Sequence, residues 1–221
     1  LGVGGCASNA SAGTTAATQE SKEATKEETT VADTVVESVT GAIESMEESG
    51  TEAPQAIRIF GPVTRTEDGR LSIDNQSGVS NSGEIILNVS DEETYILDAV
   101  SGLPIKLEDI KDGDTIYAYI GPAMTMSLPP MTNADVIFAN IPADAKVPDY
   151  VEVKSMITDA STSKSVLTAL DGTEYTLADD CNIFPYLTRN IVTLDDLTQG
   201  RKCVVWADDE NSASKIMVFA E

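Results

Sequence analysis

From Ile57 onward, β-branched and aromatic residues alternate with polar ones in short runs, and the runs are broken by turn pairs such as Asp68-Gly69 and Asp171-Gly172. Side chains on an extended chain point alternately to opposite faces, so this period predicts strands with one face in a core and one in water. Between residues 7 and 55 the pattern is absent. That stretch is mostly Ala, Ser, Thr and Glu, has no aromatic residue, and sets ten acidic side chains against Lys22 and Lys26. It cannot bury enough apolar surface to offset the entropy of ordering, and reads as a flexible acidic stalk with a root-mean-square span of about 40 Å. Val31, Val35, Val39, Ile43 and Met46 fall near helical spacing, but Gly41 interrupts them and the polar face is acidic. Transient helicity is expected there, not a helix lying on a membrane.

Self-comparison of the β-rich part reveals a repeat. Thr94-Tyr95-Ile96-Leu97 matches Glu174-Tyr175-Thr176-Leu177, and Leu107-Glu108-Asp109-Ile110-Lys111-Asp112-Gly113 matches Leu194-Asp195-Asp196-Leu197-Thr198-Gln199-Gly200. Each copy runs on into a strand, 115 to 120 and 202 to 207, and closes with another that contains Phe138-Ala139 or Phe219-Ala220. The reading is two copies of one module, 56–141 and 150–221, joined by a Pro-marked linker, 142–149. In the longer motif, two apolar residues three apart bury one side of a single helical turn. The acidic pair favours its N-terminal end, and Gly ends it before the next strand.

Such a turn capping a small barrel resembles the five-stranded OB-like modules of many bacterial surface proteins. The likeness covers about residues 56 to 221 and implies an all-β fold of two tandem OB-like barrels after the disordered stalk. More closely, Asp112-Gly113-Asp114-Thr115-Ile116-Tyr117-Ala118-Tyr119 and Gly121-Pro122-Ala123-Met124-Thr125-Met126-Ser127-Leu128-Pro129-Pro130 look like stretches of uncharacterised secreted lipoproteins of anaerobic Gram-positive bacteria. Relatives of that type are sometimes labelled by a neighbouring copper amine oxidase N-terminal-like domain, a label that implies no oxidase activity here. Leu1-Gly2-Val3-Gly4-Gly5-Cys6 resembles the end of a lipoprotein signal, with residues 1–6 as its remnant and Cys6 as the acylated position. This implies a lipid anchor at the extracytoplasmic face of the cell membrane, each buried methylene contributing roughly 0.8 kcal/mol.

Composition narrows the function. Apolar residues make up 41% of the 221, enough for a core, while 14 Lys and Arg against 37 Asp and Glu give a net charge of −23. That charge repels phosphate backbones, so no nucleic acid partner is expected. The chain contains no His, which removes the commonest general base and the commonest zinc ligand.

The remaining motifs have ordinary readings. Ser161-Thr162-Ser163-Lys164 fits the Ser-x-x-Lys pattern of penicillin-binding enzymes but lies where a hairpin turn is expected, without the companion motifs. The pairs Asp179-Asp180, Asp195-Asp196 and Asp208-Asp209 read as solvated turns, since neighbours on an extended chain face opposite ways. Asp208-Asp209-Glu210-Asn211 lacks the alternating spacing that wraps calcium. Met124, Met126 and Met131 are soft enough for Cu(I), yet Met also fills gaps in packing, which is the expected role. No metal, no cofactor and no catalytic residue is therefore expected. Cys181 and Cys203 form a candidate disulfide worth roughly 3 kcal/mol, with two unpaired thiols as the alternative.

The copies differ in their loops, and loops diverge toward function. The first carries an insertion over 121–133, with Met124, Met126, Leu128, Pro129, Pro130 and Met131; the second carries one before its Leu-Asp-Asp-Leu turn, with Phe184 and Tyr186. These apolar, Pro-bearing segments are expected either to cover the seam between the modules or to meet an external partner. The functional expectation is a non-catalytic, surface-anchored binding or interaction module of the cell envelope, with protein or cell-wall polymer as partner. An accessory subunit of an envelope complex is the alternative, and a carboxylate-dependent enzyme on extracellular polymer a remote one.

Overall fold

The computed structural model describes residues 55–220, and Gly2. The first module contains β1 (Ile57–Arg65), β2 (Leu71–Asn75), β3 (Gly83–Asn88), β4 (Tyr95–Asp98), β5 (Thr115–Ile120) and β6 (Met131–Ala139). The second contains β7 (Asp149–Thr158), β8 (Ser165–Ala169), β9 (Glu174–Pro185), β10 (Lys202–Ala207) and β11 (Ser212–Val218). Five strands close a ring in each: β1-β2-β3-β6-β5 in the first, β7-β8-β9-β11-β10 in the second. The fold is all-β, two five-stranded barrels with one circuit, as the alternation predicts.

In both rings the third strand runs parallel to the last, and every other ring pairing is antiparallel. The first strand of each barrel is shared between two neighbours. Residues 57–62 of β1 pair with β5 and 63–65 pair with β2. Gly61 sits at that handover: a Cβ built on it would lie 1.8 Å from the Asp74 carbonyl oxygen. Only the absence of a side chain lets the two backbones come so close.

The predicted end turn appears in both copies as one turn of 3-10 helix, Leu107–Asp109 and Leu194–Asp196. Asp109 accepts from the Lys106 amide at 3.1 Å, and Asp196 from the Thr193 amide at 2.7 Å. Ile110 and Leu197 are buried beneath the turns in the two barrel interiors. Gly113 and Gly200, at φ +91° and +85°, donate to the Val63 and Val153 carbonyls at 2.7 and 2.8 Å. These matching bonds tie the turn to the middle of the first strand in each barrel.

The third strand is where the copies part. In the second barrel it is one run, β9, whose halves both follow β11; in the first it is cut by residues 89–94 into β3 and β4, which both follow β6. Leu97 lies opposite Phe138, and Phe184 opposite Met217. With Tyr117 across from Phe138 and Val204 across from Met217, Tyr95-Ile96-Leu97 corresponds to Asn182-Ile183-Phe184. This corrects the match to Tyr175, and by the same register Phe138 corresponds to Met217, not Phe219. It also corrects Ile183-Phe184-Pro185 from an inserted loop to the end of a strand.

Each barrel has its own aliphatic interior, with Ile59, Val63, Ile73, Leu87, Ile116 and Ile137 in the first and Val153, Leu167, Leu177, Val205 and Ile216 in the second. A third cluster joins them. Leu97, Ala99, Tyr119, Val136 and Phe138 from one barrel meet Val204, Met217 and Phe219 from the other, with Val147 from the linker between. Polar ties surround this seam. The Trp206 indole donates to the Ala99 carbonyl at 2.7 Å, the Lys215 ammonium to Val100 at 2.6 Å, and Arg58 pairs with Asp149 at 2.6 Å.

Candidate functional site

Cys6 lies outside the described residues. Phe184 and Tyr186 belong to the seam: Tyr186 meets Tyr95 edge to face at 5.1 Å and Phe219 at 5.1 Å, and Phe184 lies beside Trp206 at 6.2 Å. Cys181 and Cys203 are free thiols, which corrects the candidate disulfide. They sit on β9 and β10, and β11 runs between those strands. Two strand spacings, roughly 10 Å, exceed what a disulfide spans. Burial raises the Cys203 thiol to about 12 and that of Cys181 to about 11, with Asp180 adding to the latter. In a Cys6→Ser protein free of reductant, Ellman's reagent is expected to find Cys203 silent in the native state and two thiols in denaturant. A count of zero in denaturant would restore the bridge.

The Ser161 to Lys164 stretch forms the β7–β8 hairpin turn, with Ser163 at φ +56° donating through its amide to Asp159 at 2.7 Å. The Asp208 carboxylate accepts from the Glu210 and Ser212 amides at 3.0 and 2.8 Å, so it builds its own hairpin turn. The three methionine sulfurs do not converge. That of Met124 faces Ser80 and Asn81 at 3.8 and 3.6 Å, that of Met131 accepts from Arg70 at 3.0 Å, and Met126 is fully exposed.

The insertion after β5 does not reach the seam. Met124 packs on the interior of the first barrel, and Pro130 is buried there with its carbonyl accepting from the Ile86 amide at 2.9 Å. Above this root the loop braces itself. The Thr125 amide donates to Met131 at 2.9 Å, the Met131 amide donates back to the Thr125 hydroxyl at 2.8 Å, and Thr132 donates to Ala123 at 2.9 Å. At the tip, Met126 is 100% exposed and Leu128 96%, an arrangement that leaves two large apolar side chains wholly in water.

The β2–β3 loop, residues 76–82, stands beside it through the Met124 contacts. Its shape is set by Asn75, itself buried, which donates to the Val79 and Asn81 carbonyls at 2.8 Å each and accepts from the Ser77 amide and hydroxyl. In a chain whose residues are 23% charged, residues 76–82 and 121–133 contain no charged side chain. That shared gap in the charge pattern was readable in the sequence; that the two segments are neighbours was not.

No family model and no solved structure matches this chain. A Brevibacillus choshinensis protein named "Protease inhibitor" is similar, 28% identical over 95 residues, which is 41% of this chain and 29% of the other. The chain thus spans less than a third of that relative's length.

Proposed function

We propose that this chain is a non-catalytic binding module of the bacterial envelope, held outside the cell by lipid on Cys6, spaced by residues 7–55, and gripping a protein partner through the uncharged loop pair of the first barrel. The observation that carries the reading is the braced loop whose tip presents Met126 and Leu128 to water. Nothing in the barrel needs those side chains there, and a partner that covers them gains roughly 1.5 to 3 kcal/mol from each. The absence of charge on both loops means that no ion has to be desolvated when they are covered.

Two variants test the halves of the reading. In the native host, Cys6→Ser is expected to move the protein from the membrane fraction to the medium or leave it unprocessed; equal membrane retention would refute the anchor. Met126→Ser with Leu128→Ser is expected to leave the melting temperature unchanged and to lose a partner that the parent retains in cross-linking at the cell surface. An unaltered cross-linking pattern would refute the loop as the contact.

The name of the Brevibacillus relative favours a protease as that partner. A stiff, protruding loop with apolar side chains suits the substrate cleft of such an enzyme. Slow-turnover inhibition of a subtilisin-like or chymotrypsin-like enzyme, lost in the double Ser variant, is the expected result, and absence of inhibition across both classes would remove this version.

A further inference from the structure

Four cavities of about 360, 540, 340 and 360 Å³ lie along and beside the seam, and adjoining ones share walls. Asp135, Tyr150 and Lys202 border both the first and the second; Arg201, Phe219 and Ala220 border the second and the third; Glu93 and Asp135 border the second and the fourth. Each alone is the size of a small-molecule site. Set side by side around common side chains, they make a row of adjoining cavities, a groove divided by those side chains, whose lining passes from residues of one barrel to residues of the other.

We propose that this groove binds a linear glycan, neutral or bearing amino groups, laid across both barrels with Asp135, Tyr150 and Lys202 beneath its middle. Three features choose that ligand. Around the first two cavities β1, β6, β7 and β10 are flanked on both sides and the outer edge of β4 is bonded to residues 103–105, so no open ladder edge is offered there to an extended peptide, and recognition falls to side chains. Those side chains are phenols, carboxylates and amides, among them Tyr95, Tyr150, Glu152, Asn211 and Gln199. Carboxylates and amides accept from or donate to hydroxyls, and the half-buried rings of Tyr95 and Tyr150 offer apolar surface to the CH face of a sugar. Finally, with Arg58 taken by Asp149, the first two cavities keep Asp135, Glu152, Asp171, Glu92 and Glu93 against Lys202 and Arg201, which disfavours an anionic polymer. Burial raises the half-buried Asp135 carboxyl, Lys202 draws it back and Glu93 pushes it further, so a hydroxyl or ammonium donor placed there meets a partly desolvated acceptor.

The test is calorimetric titration of the full chain with N-acetylglucosamine oligomers of two and six units, the de-N-acetylated hexamer, a galacturonate hexamer and an uncharged extended decapeptide. Binding of either glucosamine hexamer, tighter than the dimer, and no binding of the galacturonate hexamer are expected. Asp135→Asn with Glu152→Gln is expected to weaken the hexamer at least about tenfold, with the melting temperature checked to establish that the fold is intact. Tyr150→Phe keeps the ring and serves if the double variant fails to fold. No glucosamine binding, equal affinity for two and six units, preference for the uronate or the peptide, or undiminished binding by folded groove variants each overturns the proposal. The double Ser variant of the loop tip should bind glycan as the parent does, so the two surfaces succeed or fail separately.

Discussion

Gly61→Ala is expected to abolish the first barrel. The new methyl would lie 1.8 Å from the Asp74 carbonyl oxygen, inside any van der Waals limit, and the obstacle is backbone of β2, not a side chain that can turn aside. Relief requires β1 and β2 to separate where the Gln76 amide donates to the Phe60 carbonyl at 2.8 Å, and that opens the ring at its first pairing. The loss should exceed about 4 kcal/mol, in the range reserved for disrupted cores and forced backbones. Hydrogen exchange should show β1, β2 and β3 unprotected. Gly121→Ala is the matched control: its Cβ meets nothing within 4 Å, and its stability should change little. Native-like protection in the Gly61 variant would mean that β1 crosses β2 in some other way.

Trp206→Ala is expected to uncouple the barrels while leaving both folded. The indole touches the first barrel twice: it donates to Ala99 at 2.7 Å and packs on Gly102 so closely that a Cβ there would sit 2.7 Å from the ring; it also lies 3.9 Å under the Lys215 ammonium of its own barrel, which reaches across to the Val100 carbonyl. Truncating it should cost about 3 kcal/mol and lower the melting temperature by about 6–12 °C. More tellingly, one cooperative transition should become two, since the term lost belongs to the seam and not to either interior. Gly102→Val pushes on the same contact from the other side and, at φ +74°, also strains the turn after β4, so it should give the same split with the first barrel melting earlier. A single transition in both variants would place the coupling elsewhere.

How far the sequence could be read follows the distance over which each feature is decided. The strands and the turns ending in Gly113 and Gly200 are local, set by alternation and by a few residues around one glycine, and both were legible. The third strand was not, because its register against β6 or β11 is fixed by partners some forty residues away in sequence, and the cut at 89–94 offsets the copies by an amount that no local pattern reveals. Tyr95 therefore looked like Tyr175. Phe184-Pro185 read as an insertion because the match of Tyr95 to Tyr175 left these residues over before the Leu-Asp-Asp-Leu turn, yet Pro185 is the last residue of β9, where a strand tolerates it. For the loop over 121–133, composition announced apolar surface with restricted backbone but not which body it would lean on. Its root went into the first barrel and its tip into water, neither of which depends on residue type alone.

The parallel pairing that closes each ring also sets an order of events. An antiparallel hairpin can zip as soon as its turn is made, but β6 must find β3 after β4 and β5 have been passed over, and β11 must find β9 after β10. Neither ring can shut until its final strand exists, so a chain emerging from its N-terminal end completes the first barrel well before the second. Met217 and Phe219, two of the buried side chains that the second barrel adds to the shared apolar cluster, arrive with or after β11. Until then Tyr95, Tyr119 and Phe138 face outward on a finished barrel, and that brief interval is when this protein most needs protection from aggregation.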